Sequence, residues 1–236
     1  MKKTISVTVS NRPHYFRKLV SNLNKLEGIA EYETNFSLEP SETLNQNLEI
    51  CDNFKFNKVV HVNENVLGVR DNPYTLLNRI YKTSDFNVYI EEDLELSKDV
   101  LLISNFFYES NDKSLFLNLF NKTELNLGPS YIFKNVETNH IDGSDVKFAP
   151  FCWAMRRDVW FDSFKNWWYG DERGWDYSVV SNLEKNQNLI SIVCYNRCNH
   201  IGENGTHSTP ELNEFFKNKK IFNYKKPLKY EFNNSL

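Results

Sequence analysis

The sequence of 236 residues lacks long apolar runs, a surplus of charge of one sign and a dense set of cysteines. No stretch approaches the roughly 18 apolar residues that a membrane-spanning helix needs, so we expect no membrane span. The formal net charge is −3, which argues against a nucleic-acid-binding protein held by a basic surface. The basic N-terminus runs into a strand-like alternation instead of the apolar core of a signal peptide, so the expected location is cytoplasmic.

Cysteine is too sparse to build a disulfide framework. The chain has four cysteines, and only Cys194 and Cys198 are close in sequence. Their C-x₃-C spacing is a weak pattern for zinc, so we expect all four to be buried or incidental thiols.

The chain does contain enough apolar material for a sizeable core, with 40% hydrophobic and 15% aromatic residues. Its first part alternates between the two-residue period of strands and the spacing of helices. Strands are predicted at residues 4–9, 32–38, 58–62 and 86–90, and helices begin at Pro13, near Leu44 and at Asn72. Such alternation with short connections predicts an α/β fold with a mostly parallel sheet.

The second half is less regular. Strands are predicted at residues 114–120, 131–133 and 189–195, and helices at residues 157–166 and 175–186. Neither a repeat nor a linker separates the two halves, so we interpret the chain as a single domain.

An acidic triplet directly follows the last of the four predicted strands in the first part. The strand that ends at Ile90 runs into Glu91, Glu92 and Asp93. Adjacent carboxylates at a sheet edge are costly unless a cation compensates them, and Mg²⁺ and Mn²⁺ prefer carboxylate oxygens. A metal at the carboxyl end of a parallel strand is also well placed to hold a diphosphate. The alternative is an acidic turn that faces solvent.

Four polar segments stand in order along the chain. They are Ser10-Asn11-Arg12-Pro13 after the first strand, the acidic triplet, Gly174-Trp175-Asp176, and the loop that holds His200 and His207. In this order the chain resembles the GT-A glycosyltransferases, and its triplet is similar to the DXD-type metal motif of N-acetylglucosaminyltransferase I and related bacterial and viral sugar transferases. The resemblance implies one GT-A domain with a Rossmann-like sheet, in which residues 1–95 form the nucleotide-binding half, 96–210 the acceptor and catalytic half, and 211–236 a C-terminal tail.

The resemblance also implies a reaction and a cofactor. A sugar moves from a nucleotide-diphosphate donor, with UDP as the default nucleotide, to a hydroxyl of a carbohydrate or glycan acceptor. Mn²⁺ or Mg²⁺ is the expected cofactor, with Asp93 as its direct ligand and His207 as the second; His200 is the competing choice. Glu91 and Glu92 are then expected to contact hydroxyls of the sugar or ribose, or to bind the metal through water.

Further donor contacts are expected where the first three strands end. The loop Ser10 to Arg12 follows the first strand, and the planar guanidinium of Arg12 suits phosphate oxygens. Glu39 follows the second strand, and Arg70 and Asn72 follow the third. Structural alternatives remain: Arg12 as a surface residue at a helix start, Glu39 as a solvated turn residue, and Asn72 as a helix cap.

A base must take the proton of the acceptor hydroxyl, and Asp176 is the predicted base. It stands at the predicted start of a helix beside Trp175, which we expect to be exposed and to stack on a sugar ring. Relatives carry Trp-Asp-Asp with the second Asp as base, whereas Tyr177 holds that place here. Asp171 or Glu172 are therefore substitutes, and Asp176 as a helix N-cap is the alternative. With Asp176 as base, transfer inverts the anomeric centre.

Two other functions fit parts of this pattern. A sugar nucleotidyltransferase usually opens with a glycine-rich phosphate loop, and the segment from Ser10 to Pro13 contains no glycine. A non-catalytic carbohydrate-binding domain explains the aromatic residues but not a carboxylate triplet at the end of a buried strand. Turnover of a donor separates that binding domain from both enzymes.

Overall fold

One sheet of nine strands dominates the described part of the chain. A computed structural model describes residues 1–110, 113–121, 133–137, 148–186, 188–203, 209–222 and 232–233. The strands are β1 (Lys3–Val9), β2 (Tyr32–Leu38), β3 (Lys58–Val62), β4 (Phe86–Glu91), β5 (Leu94–Leu96), β6 (Phe116–Asn118), β7 (Phe133–Glu137), β8 (Cys152–Arg156), β9 (Leu189–Val193), β10 (Cys198–His200) and β11 (Phe232–Asn233). The order in the sheet is β11-β7-β9-β6-β8-β4-β1-β2-β3, and β5 pairs with β10 in a separate ribbon.

Five of the eight neighbouring strand pairs in the sheet are parallel: β1–β2, β1–β4, β2–β3, β6–β9 and β7–β11. The pairs β4–β8, β6–β8 and β7–β9 are antiparallel. The prediction of an α/β domain with a mostly parallel sheet is therefore confirmed. Because β1, β2 and β4 lie side by side in one direction, the residues that follow Val9, Leu38 and Glu91 emerge at one edge of the sheet.

Helices pack on both faces of this sheet. They are α1 (Pro13–Leu23), α2 (Leu44–Asp52), α3 (Gly68–Ile80), α4 (Val100–Glu109), α5 (Arg157–Val159), α6 (Lys165–Trp167), α7 (Trp175–Lys185) and α8 (Pro210–Lys217), with a 3₁₀ turn at Ile29–Glu31 and a π-helical turn at Trp160–Phe164. Helix α1 shows the sequence logic, since Phe16, Leu19 and Leu23 recur at helical spacing and are fully buried.

Alternate side chains of β4 divide the core into two clusters, because neighbouring residues of a strand point to opposite faces. Val88 and Ile90 belong to one cluster, together with residues of α1, α2 and α4. Tyr89 belongs to the other, which α3 and α7 cover and which holds most of the tryptophans. The end of β4 is thus packed against a core cluster on each face of the sheet.

Several predicted elements have different bounds in the structure. The strand predicted at residues 131–133, of which only Phe133 is described, is β7, and the strand predicted at residues 189–195 ends at Val193. Helix α3 begins at Gly68 and not at Asn72, because the carboxylate of Glu39 accepts hydrogen bonds from the backbone N–H groups of Leu67 and Gly68, both at 2.9 Å. The strand predicted at 114–120 is shortened to β6.

The described residues also bear on the predictions about membrane spans and cysteines. Within these ranges no helix is both long and apolar enough to cross a membrane. All four cysteines are buried thiols outside any disulfide, as predicted.

Candidate functional site

The acidic triplet lies at the junction between β4 and the ribbon of β5 and β10. Glu91 is the last residue of β4, and Glu92 and Asp93 form the turn into β5. Glu92 is 2% exposed and Asp93 is 1% exposed. Two carboxylates removed from water to this extent need partners. The expectation of a triplet at the end of a buried strand is met, and the solvated acidic turn is wrong.

Arg12 supplies the nearest positive charge. Its Nε donates a hydrogen bond to Glu92 Oε1 at 2.7 Å, and its Nη1 lies 2.7 Å from Asp93 Oδ2. Burial acts to lower the pKa of Arg12, but the charges of Asp93 and Glu92 outweigh it and raise that pKa. The parallel pairing of β1 with β4 creates these contacts, because it sets the loop after Val9 beside the triplet. Arg12 is therefore more than a surface residue at a helix start.

Glu92 also fastens the first loop. Its Oε2 accepts a hydrogen bond from the backbone N–H of Ser10 at 2.6 Å. From the other side, Asn47 Nδ2 donates to the carbonyl oxygen of Ser10 at 2.8 Å. Asn47 was not among the predicted site residues. The sequence pattern that could have indicated it is a polar residue at helical spacing from Leu44 and Cys51, on an otherwise apolar face. Asn11 is exposed next to this loop.

Asp93 meets His200 across the two-stranded ribbon. Leu94 pairs with His200 in antiparallel register, and the backbone N–H of Ile201 donates to the carbonyl oxygen of Asp93 at 2.9 Å. As a result His200 Nε2 lies 3.2 Å from Asp93 Oδ2. Gly202 packs against the same carboxylate so closely that a Cβ there would overlap Oδ2. His207, the predicted second metal ligand, lies outside the described residues.

Burial and neighbouring charges shift the pKa values of two triplet members in opposite directions. Burial acts to raise the pKa of Asp93, but the hydrogen bond and charge of His200, with the charge of Arg12, hold it below its usual value. For Glu91, burial and the charge of Asp93 raise the pKa to about 8, and Asp176 adds to this effect. The charge of Asp176 therefore acts on a member of the triplet.

The chemistry of these groups fits a hard divalent cation. Asp93 Oδ1 is buried and accepts no hydrogen bond, and carboxylate oxygens suit Mn²⁺ and Mg²⁺. Mn²⁺ or Mg²⁺ would be held by Asp93 and His200. The described residues contain no group of three His, Cys, Asp or Glu side chains arranged to hold a metal.

The predicted base lies at the start of α7. Asp176 is partly exposed, and its Oδ1 packs against Gly174, where a Cβ would crowd it at 2.6 Å. Asp171 is occupied elsewhere, because hydrogen bonds from Arg173 lower its pKa to about 2. Glu172 is exposed on the same turn. The charge of Asp176 contributes to the raised pKa of Glu91.

Trp175 is buried, so the expectation that it is exposed is wrong. It is 5% exposed, and its ring stacks on Trp168 at a centroid distance of 4.1 Å and an angle of 6°. The edges of Phe148 and Tyr89 close the remaining sides. The exposed ring of this motif is instead Tyr177, which is 48% exposed.

The three remaining predicted donor contacts lie at the ends of β2 and in α3. Both carboxylate oxygens of Glu39 bind the start of α3, so this residue is a helix cap in the structure. Asn72 is 3% exposed, and its Oδ1 accepts no hydrogen bond. Arg70 lies over the ring of Tyr169 at 5.4 Å and keeps about half of its side chain exposed. Their roles toward a donor stay predictions.

A cavity of about 480 Å³ adjoins the site on the side of α1 and α8. His200 and Gly202, which contact Asp93, also line it, together with His14, Lys18 and Phe216. The ring of Phe216 packs on His200 at 4.9 Å, so α8 supports the histidine from behind.

Comparison with known proteins bears on the fold. No protein-family model and no curated protein matches the chain. Among solved structures, S. aureus TarS 1–349 in complex with UDP-GlcNAc is similar with a TM-score of 0.64 and 16% identity, over 88% of this chain and 60% of that chain. The same protein in complex with UDP gives a TM-score of 0.59 and 17% identity, over 81% and 57%.

A third similar structure is the mannosyltransferase PcManGT from Pyrobaculum calidifontis in complex with GDP-Man and Mn²⁺. Its TM-score is 0.53 with 10% identity, over 81% of this chain and 56% of that chain. The chain thus spans less than two thirds of the length of each of these structures. The more specific resemblance to N-acetylglucosaminyltransferase I stays a prediction. At these identities the likeness shows one thing, that this chain has the α/β fold of these structures.

Proposed function

We propose that the chain is a metal-dependent glycosyltransferase that moves a sugar from a nucleotide-diphosphate donor, a UDP-sugar, to an acceptor hydroxyl. One observation carries the proposal: the acidic triplet at the carboxyl end of β4, of which Glu92 and Asp93 are buried, sets Asp93 beside both Arg12 and His200. Adjacent buried carboxylates are costly in an ordinary structural turn, whereas a cation that holds a diphosphate would compensate them. The fold shared with TarS and PcManGT supports this proposal.

In this proposal the residues at the carboxyl ends of β1 and β4 bind the donor. Asp93 and His200 would hold the metal, which would neutralise negative charge on the departing diphosphate. The guanidinium of Arg12 donates to phosphate oxygens, and the loop from Ser10 is held in place by Glu92 and Asn47. Glu91 is the triplet member at the strand end and is proposed to accept from a sugar or ribose hydroxyl.

The acceptor is proposed to bind next to α7. Asp176 takes the proton of the attacking hydroxyl as the new glycosidic bond forms and the bond to the diphosphate breaks. Its partial exposure allows an acceptor to reach it, and its contribution to the raised pKa of Glu91 supports this assignment. Attack from the side opposite the leaving group inverts the anomeric centre, so the product linkage is opposite to that of the donor.

The test is thermal stability with UDP-, GDP- and dTDP-sugars, each with and without Mn²⁺. A ligand that binds the folded state raises the melting temperature, and we expect a rise that requires both a UDP-sugar and the metal. Asp93→Ala should lose the rise. Glu95→Gln, an exposed acid two residues further along, should keep it. A rise that Asp93→Ala retains contradicts the metal assignment, and no rise with any pair favours a carbohydrate-binding domain.

A further inference from the structure

Arg12 contacts two carboxylates of the triplet through different nitrogen atoms. Its Nε binds Glu92, and its Nη1 binds Asp93, both at 2.7 Å. Glu92 is held firmly from another direction, since its second oxygen accepts from the backbone of Ser10 at 2.6 Å. The Nε contact therefore joins Arg12 to a fixed carboxylate.

The contact to Asp93 has a different character. Asp93 Oδ2 already contacts His200 Nε2, and Asp93 Oδ1 has no hydrogen-bond partner although it is buried. A divalent cation on Asp93 would share that carboxylate with the guanidinium, and like charges within a few ångströms of each other repel strongly. The positive charge of Arg12 at Asp93 and a metal at Asp93 thus oppose one another.

A donor diphosphate offers the terminal nitrogens of Arg12 another partner. A guanidinium binds phosphate oxygens with two parallel hydrogen bonds. The side chain of Arg12 is 24% exposed, whereas those of Glu92 and Asp93 are 3% and 2% exposed. The arginine is consequently the member of the group that an incoming ligand reaches.

We propose that Arg12 is a tethered counter-ion: Nε stays on Glu92 while the terminal nitrogens exchange between Asp93 and the donor diphosphate. Asp93 becomes fully available to the metal only when the donor draws those nitrogens away. The inference rests on the proposed function and adds an order of binding to it. The metal alone binds weakly, and the donor strengthens the binding of the metal. It also makes Glu92 a positioning residue for Arg12 and not a contact to the sugar.

The test is calorimetric titration of the full chain with Mn²⁺, with and without UDP. Arg12→Met removes the charge and keeps the length of the side chain, and Arg12→Lys keeps the charge without the planar fork. Arg17→Met, which alters an exposed arginine on the helix that follows Arg12, is the matched control. Circular dichroism establishes that each variant is folded.

Arg12→Met should bind Mn²⁺ at least about tenfold more tightly than the wild type when UDP is absent, because one opposing charge is gone. It should bind UDP more weakly, and UDP should strengthen Mn²⁺ binding less than in the wild type. Arg12→Lys and Arg17→Met should keep the wild-type affinity for Mn²⁺ alone. Equal or weaker Mn²⁺ binding by Arg12→Met overturns the inference.

A measurement on the wild type covers the case in which Arg12→Met does not fold. The arginine Nε–H resonances are followed by NMR on addition of Mg²⁺ and UDP, with Arg12 assigned from Arg12→Lys. The Arg12 Nε–H signal should remain protected, and its loss overturns the tether. If the wild type binds no Mn²⁺ even with UDP, the proposed function fails; if it does and Arg12→Met is unchanged, only this inference fails.

Discussion

Gly202 is the residue where one added methyl group tests the geometry around Asp93. A Cβ at this position would lie 3.0 Å from both Asp93 Cγ and His200 Cε1 and would overlap Asp93 Oδ2. Either Asp93 must turn away from Arg12, or the loop must lift and lose the hydrogen bond from Ile201 to Asp93. Overpacking of this kind costs about 1–3 kcal/mol. For a chain of this length, Gly202→Ala should lower the melting temperature by roughly 2–12 °C.

The assay combines thermal denaturation with Mn²⁺ titration in the presence of UDP. Gly202→Ala should show both a lower melting temperature and weaker metal binding, because either adjustment disturbs Asp93. Glu203→Ala changes the next residue of the loop, whose side chain is 59% exposed and makes a surface ion pair with Lys217. That control should stay within about 0.5 kcal/mol of the wild type. Wild-type stability and metal affinity in Gly202→Ala would refute the close packing of this loop on Asp93.

Other contacts make predictions of their own. Trp175→Ala should lower the free energy of unfolding in urea by about 3–5 kcal/mol, because the ring is buried against Trp168; a value near that of the wild type contradicts the burial. Asp99→Asn should cost about 3–5 kcal/mol in the same assay, because it leaves the charge of buried Arg197 uncompensated at a contact of 3.0 Å; a loss below about 1 kcal/mol contradicts this. In metal-free protein, Glu91→Gln should raise the melting temperature increasingly as pH rises from about 4.5 to about 8, since the folded pKa of Glu91 lies above its unfolded value and the charged form weakens the fold; the same difference at pH 5 and pH 9 opposes this. Asp176→Asn should leave Mn²⁺-dependent donor binding intact and slow transfer by at least about 10²-fold; near-normal transfer moves the role of base to Glu172.

The first part of the chain was predictable because local patterns and global fold agree there. The strands at Tyr32–Leu38 and Lys58–Val62 coincide with their predicted bounds, and α1 begins at Pro13 as expected. Each strand is a short run of apolar or alternating residues, and α1 and α2 carry an apolar stripe at helical spacing. The parallel arrangement then follows from alternation alone, and it places the triplet at the correct edge of the sheet.

The features that sequence reasoning missed depend on contacts between distant residues. The start of α3 is fixed by Glu39, a cap 28 and 29 residues away, so the local Asn-Pro pattern pointed to the wrong residue. The contact of His200 with Asp93 depends on the pairing of β5 with β10, two three-residue strands too short to carry a periodic signal.

An aromatic residue in a site-like motif is equally suited to a core. Trp175 follows a glycine and precedes the predicted base, which favours a role in the site. Its burial is decided by Trp168 and Phe148, which the fold brings to it from elsewhere in the chain. No local pattern distinguishes these two outcomes.

The measurement that tests the central claim most directly is the release of nucleoside diphosphate from UDP-, GDP- and dTDP-sugars, with and without Mn²⁺ and a panel of simple glycoside acceptors. The account predicts UDP release from a UDP-sugar that requires Mn²⁺, disappears in Asp93→Ala and persists in Glu95→Gln. Absence of nucleoside diphosphate with every donor, or release that Asp93→Ala leaves unchanged, would contradict it.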